Sequence, residues 1–248
     1  MNNRRVDYHC HLLPGLDDGA RHLDDSLAMA QCLVAAGFAV VHCTPHAIRG
    51  VYETAPETVR KAVAALQAEL DRAAIPLKLK PGMEYYLDEY FPQAIETPVP
   101  LGDSALLLVE APPNAHPLMV QENIFHAVRQ GFTPLFAHPE RVPFLAPVGV
   151  KRSPLTRLRS ALTRDGRPQE ATAGNAMLDM LRQQGCLFQG NIGSFAGYYG
   201  REIRKTAQLF QRAGLYDFYG SDGHRPEPLK WCLEKGLQVL QSQAVGCG

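Results

Sequence analysis

Histidines and carboxylates recur in this chain at spacings that suit a metal site. His9 and His11 stand two apart on an extended segment, and side chains alternate along a strand, so both imidazoles fall on one face and can reach one ion. Asp17 and Asp18 follow on a loop broken by Pro14, Gly15 and Gly19, where hard oxygen donors could fold back over the same place. Imidazole with carboxylate suits Zn, Fe or Mn and needs no thiolate. A lone His-x-His carries little weight. The weight comes from repetition, because His46, Glu84, Glu110, His138, Asn191 and the pair Asp222 and His224 each lie just past a β-rich run.

The elements that must position them alternate in type. Strand-like runs are expected at about 4–10, 38–44, 76–81, 105–109, 133–137, 186–190 and 216–220. Helical periodicity is expected at about 23–36, 56–73, 88–95, 118–130, 175–184, 201–213 and 229–241, with the first of these capped near Asp24. That alternation is the signature of βα units on a parallel sheet. In a parallel barrel the C-terminal ends of the strands meet on one face, where the sites of such folds lie. Polar residues past all seven runs would then share one site. His22, His42, His116 and His126 lie off these ends and read as structural, as do Cys10 and Trp231; Tyr85 and Tyr86 could line a groove or pack.

Composition sets bounds. With 248 residues, 46% hydrophobic, the chain can bury one sizeable core, and a single domain over 1–248 is expected. Zero formal net charge offers no field for nucleic acid or an anionic membrane. No run reaches the roughly 18 apolar residues of a membrane span, and the start has no apolar stretch of the kind a signal peptide needs. Six scattered cysteines without a Cys-x-x-Cys pair read as reduced thiols, so a cytoplasmic location is expected. Residues 146–171 break the rhythm as an inserted loop, with a helix possible at 155–162. The loop carries Lys151, Arg152, Arg157, Arg159, Arg164 and Arg167 against Asp165 and Glu170, a candidate basic collar for an anionic substrate.

The motifs His9-Cys10-His11 with Asp17-Asp18-Gly19, Thr44-Pro45-His46, Gly82-Met83-Glu84-Tyr85, Leu108-Val109-Glu110, Ala137-His138-Pro139-Glu140-Arg141, Asn191-Ile192-Gly193-Ser194 and Ser221-Asp222-Gly223-His224 resemble the PHP (polymerase and histidinol phosphatase) superfamily. Within it the chain is most similar to the bacterial tyrosine-protein phosphatases of capsule and exopolysaccharide synthesis. The resemblance implies an α/β fold, a distorted seven-stranded barrel, holding three divalent ions (Mn, Fe, Co, Zn or Mg). It implies one ion on His9, His11, Glu84 and Asp222. Glu84 would bridge to a second ion held also by Glu110 and His138, and His46, His224 and Asp18 (in preference to Asp17) would hold a third. Arg141, Asp222 and His224 are implied as catalytic, with Arg141 on the substrate phosphate and Arg49 and Arg225 as further candidates. Val142 stands where such relatives are expected to have an aromatic residue. The implied substrate is phosphotyrosine on the tail of a polysaccharide-synthesis tyrosine kinase, cleaved by metal-activated hydroxide. Alternatives are histidinol phosphate or another small phosphomonoester, and a regulatory binding module without turnover. Adjacent divalent ions acidify water and clamp phosphoryl oxygens, and an arginine fork adds two further donors, so residues and resemblance agree.

A rival motif is present. His42-Cys43 with Arg49 matches His-Cys-x5-Arg, the signature of cysteine-dependent tyrosine phosphatases. That chemistry needs a thiolate in a cradle of backbone amides. No glycine lies between Cys43 and Arg49, and Pro45 removes an amide, so Cys43 reads as a buried apolar residue.

Overall fold

The computed structural model describes residues 5–147 and 174–244. The basic collar and the helix expected at 155–162 lie outside the described residues.

The chain forms a mixed α/β fold in which every strand ladder is parallel. The strands are β1 (Arg5–Cys10), β2 (Phe38–Cys43), β3 (His46–Ala47), β4 (Lys78–Pro81), β5 (Glu84–Tyr86), β6 (Leu106–Glu110), β7 (Thr133–Ala137), β8 (Leu187–Asn191) and β9 (Phe218–Gly220). They make two sheets, β1-β2-β4 and β3-β5-β6-β7-β8-β9. Seven runs are expected in one barrel; among the described residues nine short strands form two sheets. β3 and β5 directly continue β2 and β4 after a two-residue break. Pro45 has no amide to give a ladder, and the regular pairing restarts where Glu84 N donates to Pro45 O at 3.0 Å. At Gly82 a Cβ would come within 2.6 Å of the Leu101 side chain, so a larger residue at this break would push Leu101 aside. The outer edges are joined past β9, where Asp222 N donates to His9 O at 2.7 Å and His11 N to Gly223 O at 3.0 Å.

Helices pack outside the strands through their apolar stripes. Val59, Val63, Leu66 and Leu70 form the buried face of Pro56–Arg72 at a spacing of three and four. The helix Leu23–Ala35 has its N-cap at His22, two residues before Asp24, and His22 makes no side-chain cap; Asp25 instead accepts from Arg21 N and Nε. The helix expected at 88–95 shrinks to Phe91–Ala94, and the last helix starts at Pro226, where a proline costs no helix bond. A helix not expected, Ile192–Ala196, follows β8 directly because Asn191 Oδ1 caps Gly193 N at 2.7 Å. Among the described residues no helix is long and apolar enough to cross a membrane.

Candidate metal centre

Strand ends bring the polar residues to one end of the sheets. Parallel register sets His46 beside Glu84, and Tyr86 beside Glu110. From the joined edges come His9 on β1, His11 just past its end, and Asp222 and His224 after β9. Three groups of donor atoms result: His9, His11 and Glu84; His46, Glu84 and Glu110; and His11, Asp18, His46 and His224. In the first, His9 Nε2 is 3.0 Å from Glu84 Oε2 and 3.3 Å from Asp222 Oδ1; His11 Nε2 is 3.3 Å and 3.4 Å from the same two atoms. In the second, His46 Nδ1 is 3.2 Å from Glu84 Oε2 and 3.0 Å from Glu110 Oε1. His138 Nε2 stands 3.2 Å from Glu84 Oε1 and 3.9 Å from Glu110 Oε2. In the third, Asp18 Oδ1 is 3.3 Å from His224 Nε2 and 3.5 Å from His46 Nε2. Glu84, His11 and His46 each belong to two of these groups.

Buried groups around the cluster set the direction of each ligand. Gln189 Nε2 donates to Gly190 O at 2.7 Å, which turns its Oε1 toward His9 Nδ1 at 3.1 Å. Asp17 Oδ2 lies 2.7 Å from His11 Nδ1 and accepts His46 N at 3.0 Å. Asp17 therefore orients two histidines from behind, while Asp18 faces the cluster. With Gln189 Oε1 facing His9 Nδ1 and Asp17 Oδ2 facing His11 Nδ1, the Nδ1 atoms of His9 and His11 are the ones that donate, and their Nε2 atoms point into the site, 3.0 Å apart. Two such lone pairs repel, and Glu84 Oε2 and His46 Nδ1 are buried with no hydrogen-bond partner. Nearness without hydrogen bonds fits donors arranged for shared cations, and the mixed nitrogen and oxygen set suits a divalent transition ion. His138 (φ 36°) and Asp222 (φ 52°) both adopt the left-handed backbone, a cost that persists only where the surroundings enforce it.

Without cations the cluster must hold protons. Burial pushes the His9 imidazolium down, but Glu84 and Asp222 overcome this and bring its pKa up to about 9. His11 is likewise raised against its burial, chiefly by the Asp17 hydrogen bond. Burial would raise Asp17, yet His11 brings it down to about 2. A histidine raised in the folded state stabilises fully below its ordinary 6.5, and the contribution is lost as pH rises through about 9. Stripped of metal, the protein is therefore expected to melt at falling temperature between pH 6.5 and 9, while Mn²⁺-saturated protein does not. Thermal melts in chelator and in Mn²⁺ across that range check this; parallel curves would contradict it.

A cavity of about 550 Å³ opens over the cluster, walled by Tyr52, Tyr86, Pro113, Val142, Tyr198 and Tyr199 among others. Arg141 lines it, donating through Nη1 to Asp222 Oδ2 at 2.7 Å. Arg225 lines it too, but its Nη1 donates to the carbonyls of Asp18 (2.7 Å), His224 (2.8 Å) and Gly19, so it braces the Asp18 loop. Arg49 is not brought to this cavity. It lies over the Tyr90 ring at 4.2 Å, bonded to Gln93 Oε1, on an adjoining hollow. Tyr85 is core and Tyr86 is wall, whereas Trp231, expected to pack, is 42% exposed. Cys43 is buried on β2, its thiol pushed far up by burial, and Arg49 points elsewhere. Sequence reasoning missed Gln189, although it shares a strand face with Asn191. It also missed Tyr199, which has no spacing signal.

The family model described as "Capsular polysaccharide synthesis, CpsB/CapC" matches residues 5–149. Tyrosine-protein phosphatase YwqE of Bacillus subtilis is 28% identical over 240 residues, 96% of this chain and 84% of that protein. Putative tyrosine-protein phosphatase CapC of Staphylococcus aureus is 25% identical over 232 residues, 91% of this chain and 80% of its own. A solved structure from work on YwqE of B. subtilis and CpsB of Streptococcus pneumoniae, described as unique metal-dependent tyrosine phosphatases, superposes with a TM-score of 0.77. It is 27% identical, and the match covers 96% of this chain and 87% of that one. The phosphotriesterase homology protein of Escherichia coli shares the fold at a TM-score of 0.53 and 15% identity, covering 98% and 93%.

Proposed function

The chain belongs to the CpsB/CapC capsular polysaccharide synthesis family, and from that premise we propose that it is a metal-dependent protein-tyrosine phosphatase. The observation that carries the reading is the meeting of His9, His11, His46, His138 and His224 with Asp18, Glu84, Glu110 and Asp222 at one end of the sheets, with no cysteine among them. His9, His11, Glu84 and Asp222 would hold one ion, Glu84, Glu110 and His138 a second, and Asp18, His46 and His224 a third. Divalent ions there would supply Lewis acidity toward a phosphoryl oxygen and acidify water. Arg141 receives the phosphate through the guanidinium donors that Asp222 does not use. Asp17 and Gln189 keep two histidines in the ligating tautomer, and Arg225 holds the Asp18 loop closed on the site. Tyr52, Tyr86 and Val142 give the aryl group an apolar seat beside the charges.

In this reading the two sheets are one seven-stranded barrel bent at Pro45 and Gly82, within a single domain carrying an insertion at 146–171. The protein acts in the cytoplasm on phosphotyrosine of a polysaccharide-synthesis kinase. Steady-state hydrolysis of a phosphotyrosyl peptide against histidinol phosphate, both with Mn²⁺, tests the substrate. The peptide is expected to win by about a hundredfold in kcat/KM, a difference of roughly 2.7 kcal/mol in transition-state binding. Preference for histidinol phosphate would move the chain to the small-molecule branch.

A further inference from the structure

The two oxygens of Asp222 have different neighbours. Oδ1 lies 3.3 Å from His9 Nε2 and 3.4 Å from His11 Nε2. Oδ2 faces away and takes three donors: Arg141 Nη1 at 2.7 Å, Asn191 Nδ2 at 2.8 Å and the Tyr199 hydroxyl at 3.1 Å. Asn191 Nδ2 also donates to the Tyr199 oxygen at 3.3 Å, which leaves the phenol's hydrogen for Asp222. An oxygen with three donors has no lone pair free for a cation, so Asp222 can offer only Oδ1.

The same tyrosine holds the arginine. The Arg141 Cζ lies 4.4 Å from the centroid of the Tyr199 ring, so the guanidinium is fixed between a carboxylate and a π face. Local backbone explains how Tyr199 arrives there. It sits in the turn Gly197-Tyr198-Tyr199-Gly200 after the helix Ile192–Ala196, and both glycines have positive φ, 90° and 98°. Gly197 N and Tyr198 N close the helix end by donating to Gly193 O at 3.1 Å and 3.0 Å. A Cβ at Gly193 would stand 3.2 Å from Tyr199 Cε2, so the phenol ring packs where a side chain would crowd it.

We propose that Tyr199 is a positioning residue of this site: its hydroxyl keeps Asp222 offering one oxygen, and its ring keeps Arg141 over the cavity. The proposal rests on the metal-phosphatase reading and deepens it. The bland alternative is a wall residue that only packs, and the two halves of the side chain separate these.

The test uses the full chain with Tyr199→Phe, which keeps the ring and loses the hydroxyl, and Tyr199→Leu, which loses both. Mn²⁺ affinity is read by competition with a chromogenic chelator, and kcat and KM with p-nitrophenyl phosphate at saturating Mn²⁺. Both variants are expected to bind Mn²⁺ about tenfold more weakly, the lower end of what losing a partner behind a ligand costs. KM should stay within about twofold in Tyr199→Phe and rise about fivefold in Tyr199→Leu, where Arg141 has lost its platform. Wild-type Mn²⁺ affinity in both variants overturns the hydroxyl's role, and an equal KM rise in both overturns the ring's. If Tyr199→Leu does not melt cooperatively, the affinity and KM of Tyr199→Phe decide. The Mn²⁺ measurement needs no turnover, so a wild-type protein that binds Mn²⁺ but hydrolyses nothing refutes the phosphatase reading and leaves this test standing.

Discussion

Glu84→Gln is expected to retain the fold and lose about a thousandfold or more in turnover. The estimate starts from the 10–100-fold that outer partners of a ligand cost, and Glu84 is no outer partner. Its Oε2 approaches His9, His11 and His46, and its Oε1 approaches His138, so one side chain serves two groups. Glutamine fills the same space in a fully buried position but removes the negative charge that two neighbouring cations would share. Circular dichroism, metal content and kcat on the same preparation check it. Native metal content with more than a tenth of wild-type turnover would show that Glu84 is not a shared ligand.

Arg141→Ala is expected to cost about 10²–10³-fold in kcat/KM, the range for losing one preorganised donor to developing charge. The loss has two sources. The phosphate loses its guanidinium, and Asp222, buried yet held well below the usual carboxylate range chiefly by His9 and His11, loses the 2.7 Å Arg141 hydrogen bond on its other oxygen. Arg141→Lys keeps the charge without the planar fork and should recover little. Arg49→Ala is the control, because Arg49 stacks on Tyr90 beside a different hollow and should matter less than about twofold. Equal losses at Arg49 and Arg141 would contradict the placement of both.

Much of the site was legible because its chemistry is confined to a few residue types placed at strand ends. His9 and His11 share a face by strand period alone, and His46, Glu84, Glu110, His138, Asp222 and His224 are each brought to that end. What escaped has physical reasons. β3 and β5 are two and three residues long, too short to show a period, and their existence depends on Pro45 and Gly82 interrupting longer strands. The helix Ile192–Ala196 is fixed by caps at Asn191 and Gly197 more than by hydrophobic spacing. Arg49 is a further substrate candidate under the resemblance, but the sequence does not fix where a long basic side chain points, and this one lies over Tyr90. Tyr199 reaches Asp222 across 23 residues of sequence through a glycine-bounded turn, a contact that only the tertiary structure reveals.

The central claim is that the histidine–carboxylate cluster does the chemistry and Cys43 does not. The most direct measurement strips metal from wild-type protein and from Cys43→Ser, then follows phosphotyrosyl-peptide hydrolysis as Mn²⁺ is returned. Both proteins are predicted to be inactive when stripped and to regain turnover over the same Mn²⁺ range, with Cys43→Ser reaching at least about half the wild-type rate, less than a 1 kcal/mol change in barrier. Turnover in stripped wild-type protein, or a Cys43→Ser variant that rebinds its Mn²⁺ and stays inactive, would contradict the account.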